Sequence, residues 1–195
     1  MGRLRHPRII ASVSDERQVR RLHAGRAFDV NLLSWRGRDG RPLEKVVIRH
    51  RGAVAVLPVL DDGRLVLIRN YRVTLEGWLI EFCAGGIDAG ESAIDAARRE
   101  LSEETGYRAG AIEPLTSFYT APGFADEWMQ VFVAGDLEPG DAHLEPYERI
   151  EVMALPPEEV AALIASGEIR DAKTIVAFHA WNLRGRPRPT RRGGA

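Results

Sequence analysis

Three glutamates on one predicted helix are the residues of this sequence best suited to chemistry. Glu100 and Glu104 are four positions apart, so they stack on one helix face, with Glu103 beside them. Carboxylates at this spacing repel each other and destabilise a helix by about 0.2–0.5 kcal/mol per pair. A divalent cation would offset that repulsion, and Mg²⁺ combines carboxylate ligands with water and phosphate oxygens. The alternative is an acidic helix face that water solvates.

The segment before this helix could complete a metal site. Gly85, Gly86 and Gly90 permit tight backbone turns, so the loop can fold back over the start of the helix and offer a carbonyl oxygen. Arg99 lies eight residues after Glu91 and can hold that loop carboxylate in an ion pair. The glycines therefore favour the metal site over the solvated acidic face.

Helix and strand signals place this stretch in an α+β fold. Ser92 is a favourable N-cap and Gly106 a favourable C-terminal residue, which predicts a helix over residues 93–104. Two further helices are predicted over residues 156–167 and 171–182. Apolar runs predict a β-hairpin and five more strands, over residues 28–49, 52–60, 64–71, 78–82, 129–134 and 151–155. Strands scattered between few helices favour α+β over regular βαβ alternation.

Composition limits the class of protein. The 195-residue chain is 45% hydrophobic and 28% charged, which is typical of a globular domain and not of a disordered chain. Its net charge of −1 gives no strong field for holding nucleic acid or anionic lipid. The sequence has one cysteine, Cys83, and no apolar run long enough to cross a membrane. We therefore expect a soluble, cytoplasmic protein with no membrane partner and no nucleic-acid partner.

Residues 85–107 resemble the Nudix box, G-x5-E-x7-R-E-U-x-E-E-x-G-U, in which U is apolar. Leu101 and Tyr107 fill the apolar positions. The fixed positions all match, and they are Gly85, Glu91, Arg99, Glu100, Glu103, Glu104 and Gly106. The resemblance implies a Nudix fold, an α/β/α sandwich with a mixed sheet, and hydrolysis of a nucleoside diphosphate linked to another group.

The resemblance also implies roles within the box. Glu100 and Glu104 would be the principal metal ligands, Glu103 an additional ligand, and the carbonyl oxygen of Ala84 a further one. The ion would be Mg²⁺, with Mn²⁺ as the alternative. Glu91 and Arg99 would be structural.

Residues outside the box resemble the ADP-ribose pyrophosphatase branch of the family. Pro122 lies fifteen residues after the box and begins the run Pro122-Gly-Phe-Ala-Asp-Glu127. Pro122 and Gly123 are therefore expected to bind substrate, with a plain surface turn as the alternative. The branch commonly has proline where Cys83 stands, and cysteine there also resembles hydrolases of GDP-mannose or UDP-glucose.

These resemblances imply Mg²⁺-dependent hydrolysis of ADP-ribose, or a related nucleotide sugar, to AMP and ribose 5-phosphate. Hydrolysis of GDP-mannose or a UDP-sugar is one alternative. A non-catalytic module that senses nucleotide sugars is another, and the complete box argues against it.

The branch resemblance implies further substrate contacts. Phe28 would stack on the nucleobase, and Arg49 and Arg72 would bind the pyrophosphate or ribose, since guanidinium groups suit phosphate oxygens. Glu81 would contact substrate or support residues that do. The alternatives are core packing for Phe28, surface ion pairs for the arginines and a strand-edge charge for Glu81.

In similar enzymes a loop before a late strand supplies the general base. Here that loop covers residues 144–151, and alignment on the following strand assigns the base to Glu148, with Glu145 as the second candidate. Glu103 completes the predicted catalytic set because it would help to hold the metal ions that neutralise the pyrophosphate charge. The alternative is that the loop glutamates only keep the loop solvated.

The chain divides into three predicted regions. Residues 1–50 form an N-terminal β-hairpin region, which the resemblance implies joins two copies in a homodimer. Residues 51–183 form the Nudix hydrolase domain. Residues 184–195 contain five arginines and no apolar anchor, which predicts a disordered basic tail. The alternative is an arm that touches RNA or DNA, as in an enzyme that acts on capped RNA.

Overall fold

The computed structural model describes residues 17–191, and residues 1–16 and 192–195 lie outside the described part. The strands are β1 (Gln18–Ala24), β2 (Phe28–Arg36), β3 (Pro42–His50), β4 (Ala53–Pro58), β5 (Leu65–Arg72), β6 (Gly77–Glu81), β7 (Ala84–Gly86), β8 (Arg108–Tyr119), β9 (Trp128–Glu138) and β10 (Ile150–Leu155). The α-helices are α1 (Ala93–Thr105), α2 (Pro157–Ser166) and α3 (Ala172–Leu183). Between residues 17 and 191, no helix is long and apolar enough to span a membrane.

Strand β4 lies inside the sheet β7-β4-β9-β8 and is buried on both faces. It runs parallel to β9 and antiparallel to β7, so the sheet is mixed. Val54 and Val56 pack with Leu101 of α1, whereas Leu57 packs in a second cluster that includes Phe178 of α3 and residues of α2. Helices therefore cover both faces of the sheet, which confirms the predicted α/β/α sandwich. A second sheet, β10-β5-β6, is antiparallel.

The third sheet, β1-β2-β3, contains the predicted N-terminal hairpin. β2 and β3 pair antiparallel from Phe28 opposite His50 to Arg36 opposite Pro42. The loop between β8 and β9 joins this sheet to the rest of the domain. The Ile48 N–H donates to the Phe124 carbonyl at 2.8 Å, and the His50 N–H donates to the Asp126 carboxylate at 2.8 Å.

Helix α1 begins and ends where the sequence predicts. The Ser92 hydroxyl accepts a hydrogen bond from the Asp95 N–H, and Gly106 ends the helix with φ 77°. A left-handed residue at this position favours glycine. The apolar face, with Ala97 and Leu101, packs on the central sheet, and this burial also takes Glu104 out of solvent.

Three strands escape prediction from the sequence. All seven residues of β1 are exposed. Because the strand has no buried face, its sequence lacks the apolar alternation that would predict a strand. β7 is a three-residue strand with two glycines. β8 contains Pro114, where its register with β9 shifts, and proline within a run argues against a strand.

Residues 184–191 differ from the expected disordered tail. Pro189 is buried against Gly135, where a side chain would collide with the Pro189 carbonyl, and the Trp181 indole donates to the Pro187 carbonyl at 2.8 Å. Ion pairs join three tail arginines to the domain: Arg186–Glu158 at 2.9 Å, Arg188–Asp61 at 3.1 Å and Arg191–Glu138 at 2.7 Å. We call residues 184–191 the C-terminal arm. It is held on the surface by the acidic side chains along its path and by the buried Trp181 indole, which needs a hydrogen-bond acceptor.

Candidate active site

A cleft of about 390 Å³ opens between the second half of α1, the end of β5, the loop before β10 and the β1–β2 turn. It brings together seven of the residues predicted from the sequence, which are Arg72, Ala84, Glu100, Glu103, Glu104, Glu145 and Glu148. Acidic groups from α1 and from the loop before β10 therefore share one cavity with Arg72, which lies at the end of β5.

The two glutamates predicted as principal ligands are buried, and the third is more open. Glu100 and Glu104 retain 8% and 3% of their exposure, whereas the Glu103 side chain is 41% exposed. Burial raises the pKa of Glu104 to about 8; the Ala84 N–H, which donates to it at 2.8 Å, opposes the rise. Burial also raises the pKa of Glu100, against the opposing effect of Arg99. Buried carboxylates of this kind favour a cation beside them.

Arg99 holds the loop and the helix together. Its guanidinium contacts both oxygens of Glu91 at 3.0 Å and the Gly86 carbonyl at 2.9 Å. It also donates to Glu100 at 2.7 Å and to Glu103 at 3.0 Å. The predicted Glu91–Arg99 ion pair is therefore present, and it fastens residues 86–91 onto α1.

Gly85 permits the close approach of this loop to the helix. A Cβ atom at position 85 would overlap the carboxylate of Glu100. Any side chain there would therefore displace Glu100 or the loop. This contact, and not a positive φ, is what favours glycine at position 85.

The donors around this point fit a hard divalent cation. They are carboxylate oxygens, with the backbone of Ala84 alongside, and two of the carboxylates are buried. Within residues 17–191, no three His, Cys, Asp or Glu side chains are grouped as ligands around one point. Arg99 draws Glu100 and Glu103 towards itself, and Glu104 accepts the Ala84 N–H. The assignment of individual ligands stays a prediction.

Arg72 lines the cleft and is held in place by an ion pair with Glu81. Its Nε and Nη2 donate to the two Glu81 oxygens at 2.8 and 2.5 Å. Glu81 is fully buried and does not line the cleft. Burial would raise the pKa of Glu81, but the hydrogen bonds from Arg72 and the charge of Lys173 outweigh it and lower the pKa. Of the two predicted roles for Glu81, this geometry favours support of a substrate-binding residue.

Both candidate bases lie on the loop before β10. The Glu148 carboxylate accepts the Glu145 N–H at 2.8 Å, which fixes its direction within the loop. Glu145 lies 3.3 Å from Arg26 of the β1–β2 turn. A hydrogen bond from Tyr147, assisted by Arg26, lowers the pKa of Glu145. Glu148 acts electrostatically on both Glu100 and Glu104, so it lies near the predicted metal ligands.

Besides Glu81, four predicted substrate residues do not line the cleft. Phe28 is 41% exposed, and Arg49 is paired with Asp126 at 2.9 Å. Pro122 and Gly123 are exposed on the loop that contacts β3. Their roles in substrate binding stay predictions.

Sequence reasoning missed three basic residues that do line the cleft, namely Arg26, His50 and Arg51. They lie in or beside turns of the N-terminal sheet and belong to no motif. The only available signal was their position next to Gly25 and Gly52, and basic residues in turns are too common to be diagnostic.

Comparison with known proteins decides the family. The NUDIX domain matches residues 49–178 of this chain. The chain belongs to the Nudix family. The box that predicted this membership forms the loop and helix on the wall of the cleft, and Nudix hydrolases generally use divalent metal ions.

Relatives of this Nudix protein include pyrophosphatases of two different nucleotide sugars. ADP-ribose pyrophosphatase of Bacillus subtilis (strain 168) is 36% identical over 165 residues, which are 84% of this chain and 89% of that protein. GDP-mannose pyrophosphatase of Cronobacter sakazakii (strain ATCC BAA-894) is 36% identical over 155 residues, 74% of this chain and 80% of that protein. A crystal structure of an ADP compounds hydrolase has a TM-score of 0.73 at 28% identity, and the match covers 89% of this chain and 97% of that one. This likeness confirms the predicted Nudix fold.

Proposed function

We propose that this Nudix protein hydrolyses the pyrophosphate bond of ADP-ribose, or of a closely related nucleoside diphosphate sugar, with Mg²⁺ as the metal ion. The observation that carries the proposal is the cleft, in which the three box glutamates lie with Arg72 and Glu148. Its basic and acidic groups suit a diphosphate bound through a divalent cation. The ADP-ribose pyrophosphatase relative at 36% identity supports ADP-ribose as the substrate.

In this reaction, the residues on each side of the cleft have different roles. Glu100, Glu103 and Glu104 would hold the ion, with the Ala84 carbonyl oxygen as a further ligand. When bound, Mg²⁺ neutralises phosphate charge and makes a nearby water more acidic. Arg72 binds phosphate oxygens and orients the diphosphate.

Glu148 takes a proton from the attacking water. The water oxygen bonds to one phosphorus, and the bond from that phosphorus to the bridging oxygen breaks. The products are AMP and ribose 5-phosphate. Such hydrolysis depends mainly on positioning and charge stabilisation.

A substrate panel tests the proposal. ADP-ribose, ADP-glucose, GDP-mannose, UDP-glucose and dinucleotides are compared by kcat/KM with Mg²⁺ and with Mn²⁺. We expect ADP-ribose to have the highest value. A panel without turnover would refute the enzymatic role and would favour a nucleotide-sugar sensor.

GDP-mannose hydrolysis is the second candidate function. Two observations favour it: Cys83 stands where the ADP-ribose branch commonly has proline, and GDP-mannose pyrophosphatase of Cronobacter sakazakii is also 36% identical. The thiol itself is fully buried and donates to the Val56 carbonyl, so it acts on the cleft only through packing. A higher kcat/KM for GDP-mannose in the panel would decide for this candidate.

The choice of base is tested separately. Replacing Glu148 with Gln removes the proton acceptor, so we expect kcat to fall at least tenfold. General-base catalysis typically contributes about a hundredfold or more, so this threshold is a conservative one. The matched control is Glu145→Gln, on the same loop, for which we expect a smaller loss. Mg²⁺ affinity is measured by calorimetry in both variants and should stay close to wild type. Near-full activity of Glu148→Gln would remove Glu148 from this role.

We propose further that the enzyme is a homodimer in the cytoplasm. The N-terminal sheet exposes Val19, Leu43 and Val46, which supports its use as a contact between copies. A single buried thiol fits a reducing compartment. Light scattering at several concentrations tests the oligomeric state, and a monomer throughout would contradict the dimer.

A further inference from the structure

The buried carboxylate of Glu81 has two cationic partners, and only one of them reaches the cleft. Arg72 grips both Glu81 oxygens and lines the cleft. Lys173 contacts Glu81 Oε2 from the other side, with its own side chain only 12% exposed. Lys173 is not among the residues that line the cleft. The family comparisons and the predicted substrate contacts give it no role.

Lys173 is fixed to the first turn of α3. Its Nζ lies 2.8 Å from Asp171 Oδ1, and Asp171 caps α3 by accepting the Thr174 N–H at 2.9 Å. The Thr174 hydroxyl donates to Asp171 at 2.6 Å and accepts the Phe82 N–H at 2.8 Å. The residue after Glu81 is therefore tied to the same helix turn that carries Lys173. Arg72 and Lys173 together hold the Glu81 carboxylate in its observed orientation.

That orientation determines what Arg72 offers a ligand. Nε and Nη2 of Arg72 are occupied by Glu81, while Nη1 has no protein partner among residues 17–191. A fork held at both donors cannot rotate, so Nη1 keeps a fixed direction. Lys173 also opposes the charge of Glu81, which would otherwise weaken the positive field that Arg72 presents to an anion.

We propose that Lys173 is a positioning residue, which acts through Glu81 to present Arg72 to the diphosphate of the substrate. The inference rests on the proposed function in taking a nucleoside diphosphate as the ligand of Arg72. It adds a determinant that lies outside the Nudix box and outside the cleft wall. Lys173 touches neither substrate nor reacting atoms in this role.

A double-mutant cycle with Glu81→Gln tests this coupling. Lys173→Met removes the charge and keeps an apolar stem of similar length. We expect it to lower kcat/KM about tenfold in the wild-type background, mainly through a higher KM, because orientation of bound substrate is lost. In the Glu81→Gln background we expect less than a twofold change. The matched control is Arg170→Met, which should change kcat/KM less than twofold. Arg170 is an exposed cation of the same segment, and its only hydrogen-bond partner within residues 17–191 is the Gly167 carbonyl.

The double variant keeps the test valid if Lys173→Met alone does not fold. Glu81→Gln with Lys173→Met removes both charges of the Glu81–Lys173 pair, and it is compared directly with Glu81→Gln. A tenfold difference between these two proteins would overturn the inference, as would equal losses from Lys173→Met in both backgrounds.

Affinity for ADP separates this inference from the proposed function. The same cycle is run by calorimetry with ADP and Mg²⁺, which requires no turnover. We expect Lys173→Met to weaken ADP binding about fivefold in the wild-type background only. If the wild type binds ADP but hydrolyses no nucleotide sugar, the proposed function fails and the cycle still decides the inference. A wild type that does not bind ADP would overturn the inference as well.

Discussion

Replacing Glu104 with Gln should stabilise the metal-free protein while abolishing its turnover. The folded state raises the pKa of Glu104 from 4.5 to about 8 because the carboxyl is buried. Between these pH values the folded protein holds a proton that the unfolded chain has lost. The free energy of unfolding therefore falls as pH rises through this window, and is unaffected by this group below pH 4.5.

The size of the effect follows from the shift. About 3.5 pKa units at about 1.4 kcal/mol each cost the folded state up to about 5 kcal/mol at pH 8. Gln keeps an acceptor for the Ala84 N–H and carries no charge, so the variant escapes this cost. We expect Glu104→Gln to be more stable than wild type by at least about 2 kcal/mol at pH 8 and nearly equal to it near pH 4.5.

Urea unfolding in EDTA at both pH values measures the difference. Glu113→Gln, an exposed glutamate of β8, is the control and should change stability little at either pH. Added Mg²⁺ should raise the melting temperature of wild type and not that of Glu104→Gln, because an ion that binds only the folded state stabilises it. Wild type and Glu104→Gln with the same pH dependence of unfolding, or with the same turnover, would refute the reasoning.

Two further perturbations test the loop and the arm. Gly85→Ala puts a Cβ into the carboxylate of Glu100, so we expect kcat/KM to fall at least about tenfold. The melting temperature should fall less than it does when a buried core side chain is truncated. Wild-type kinetics in this variant would show that the loop moves aside without disturbing the site. Removing residues 186–195 exposes Trp181 and leaves its indole without the Pro187 acceptor, which should lower unfolding free energy by about 2 kcal/mol and the melting temperature by about 4–8 °C. Turnover should stay within twofold of wild type, and an unchanged melting temperature would contradict the role of the arm.

The parts of the site that the sequence predicted are those built from local spacing. One helix with a preceding loop brings Glu91, Arg99 and Glu104 together, and the spacing of the box determines that geometry whatever surrounds it. The helix boundaries followed from Ser92 and Gly106 for the same reason. The buried run of β4 and the β2–β3 hairpin were likewise predictable from pattern and turn chemistry.

The parts that could not be predicted depend on partners far away in the chain. Lys173 meets Glu81 across 92 positions, and Arg26 meets Glu145 across 119. No local pattern specifies such pairs, since each residue alone resembles an ordinary surface charge. The arm illustrates the same limit: its composition predicts disorder, and only the folded domain supplies the acidic partners and the indole that hold it.

Because β4 contributes alternate side chains to both apolar clusters, neither half of the molecule is a separable folding unit. Helix α1 loses its apolar support if β4 leaves the sheet, and α3 loses its own at the same moment. A fragment that stops before α3 would leave Leu57 and its neighbours facing water, and we expect it to unfold as a whole. The chain should therefore melt in one cooperative transition, in which α1 and α3 are lost together.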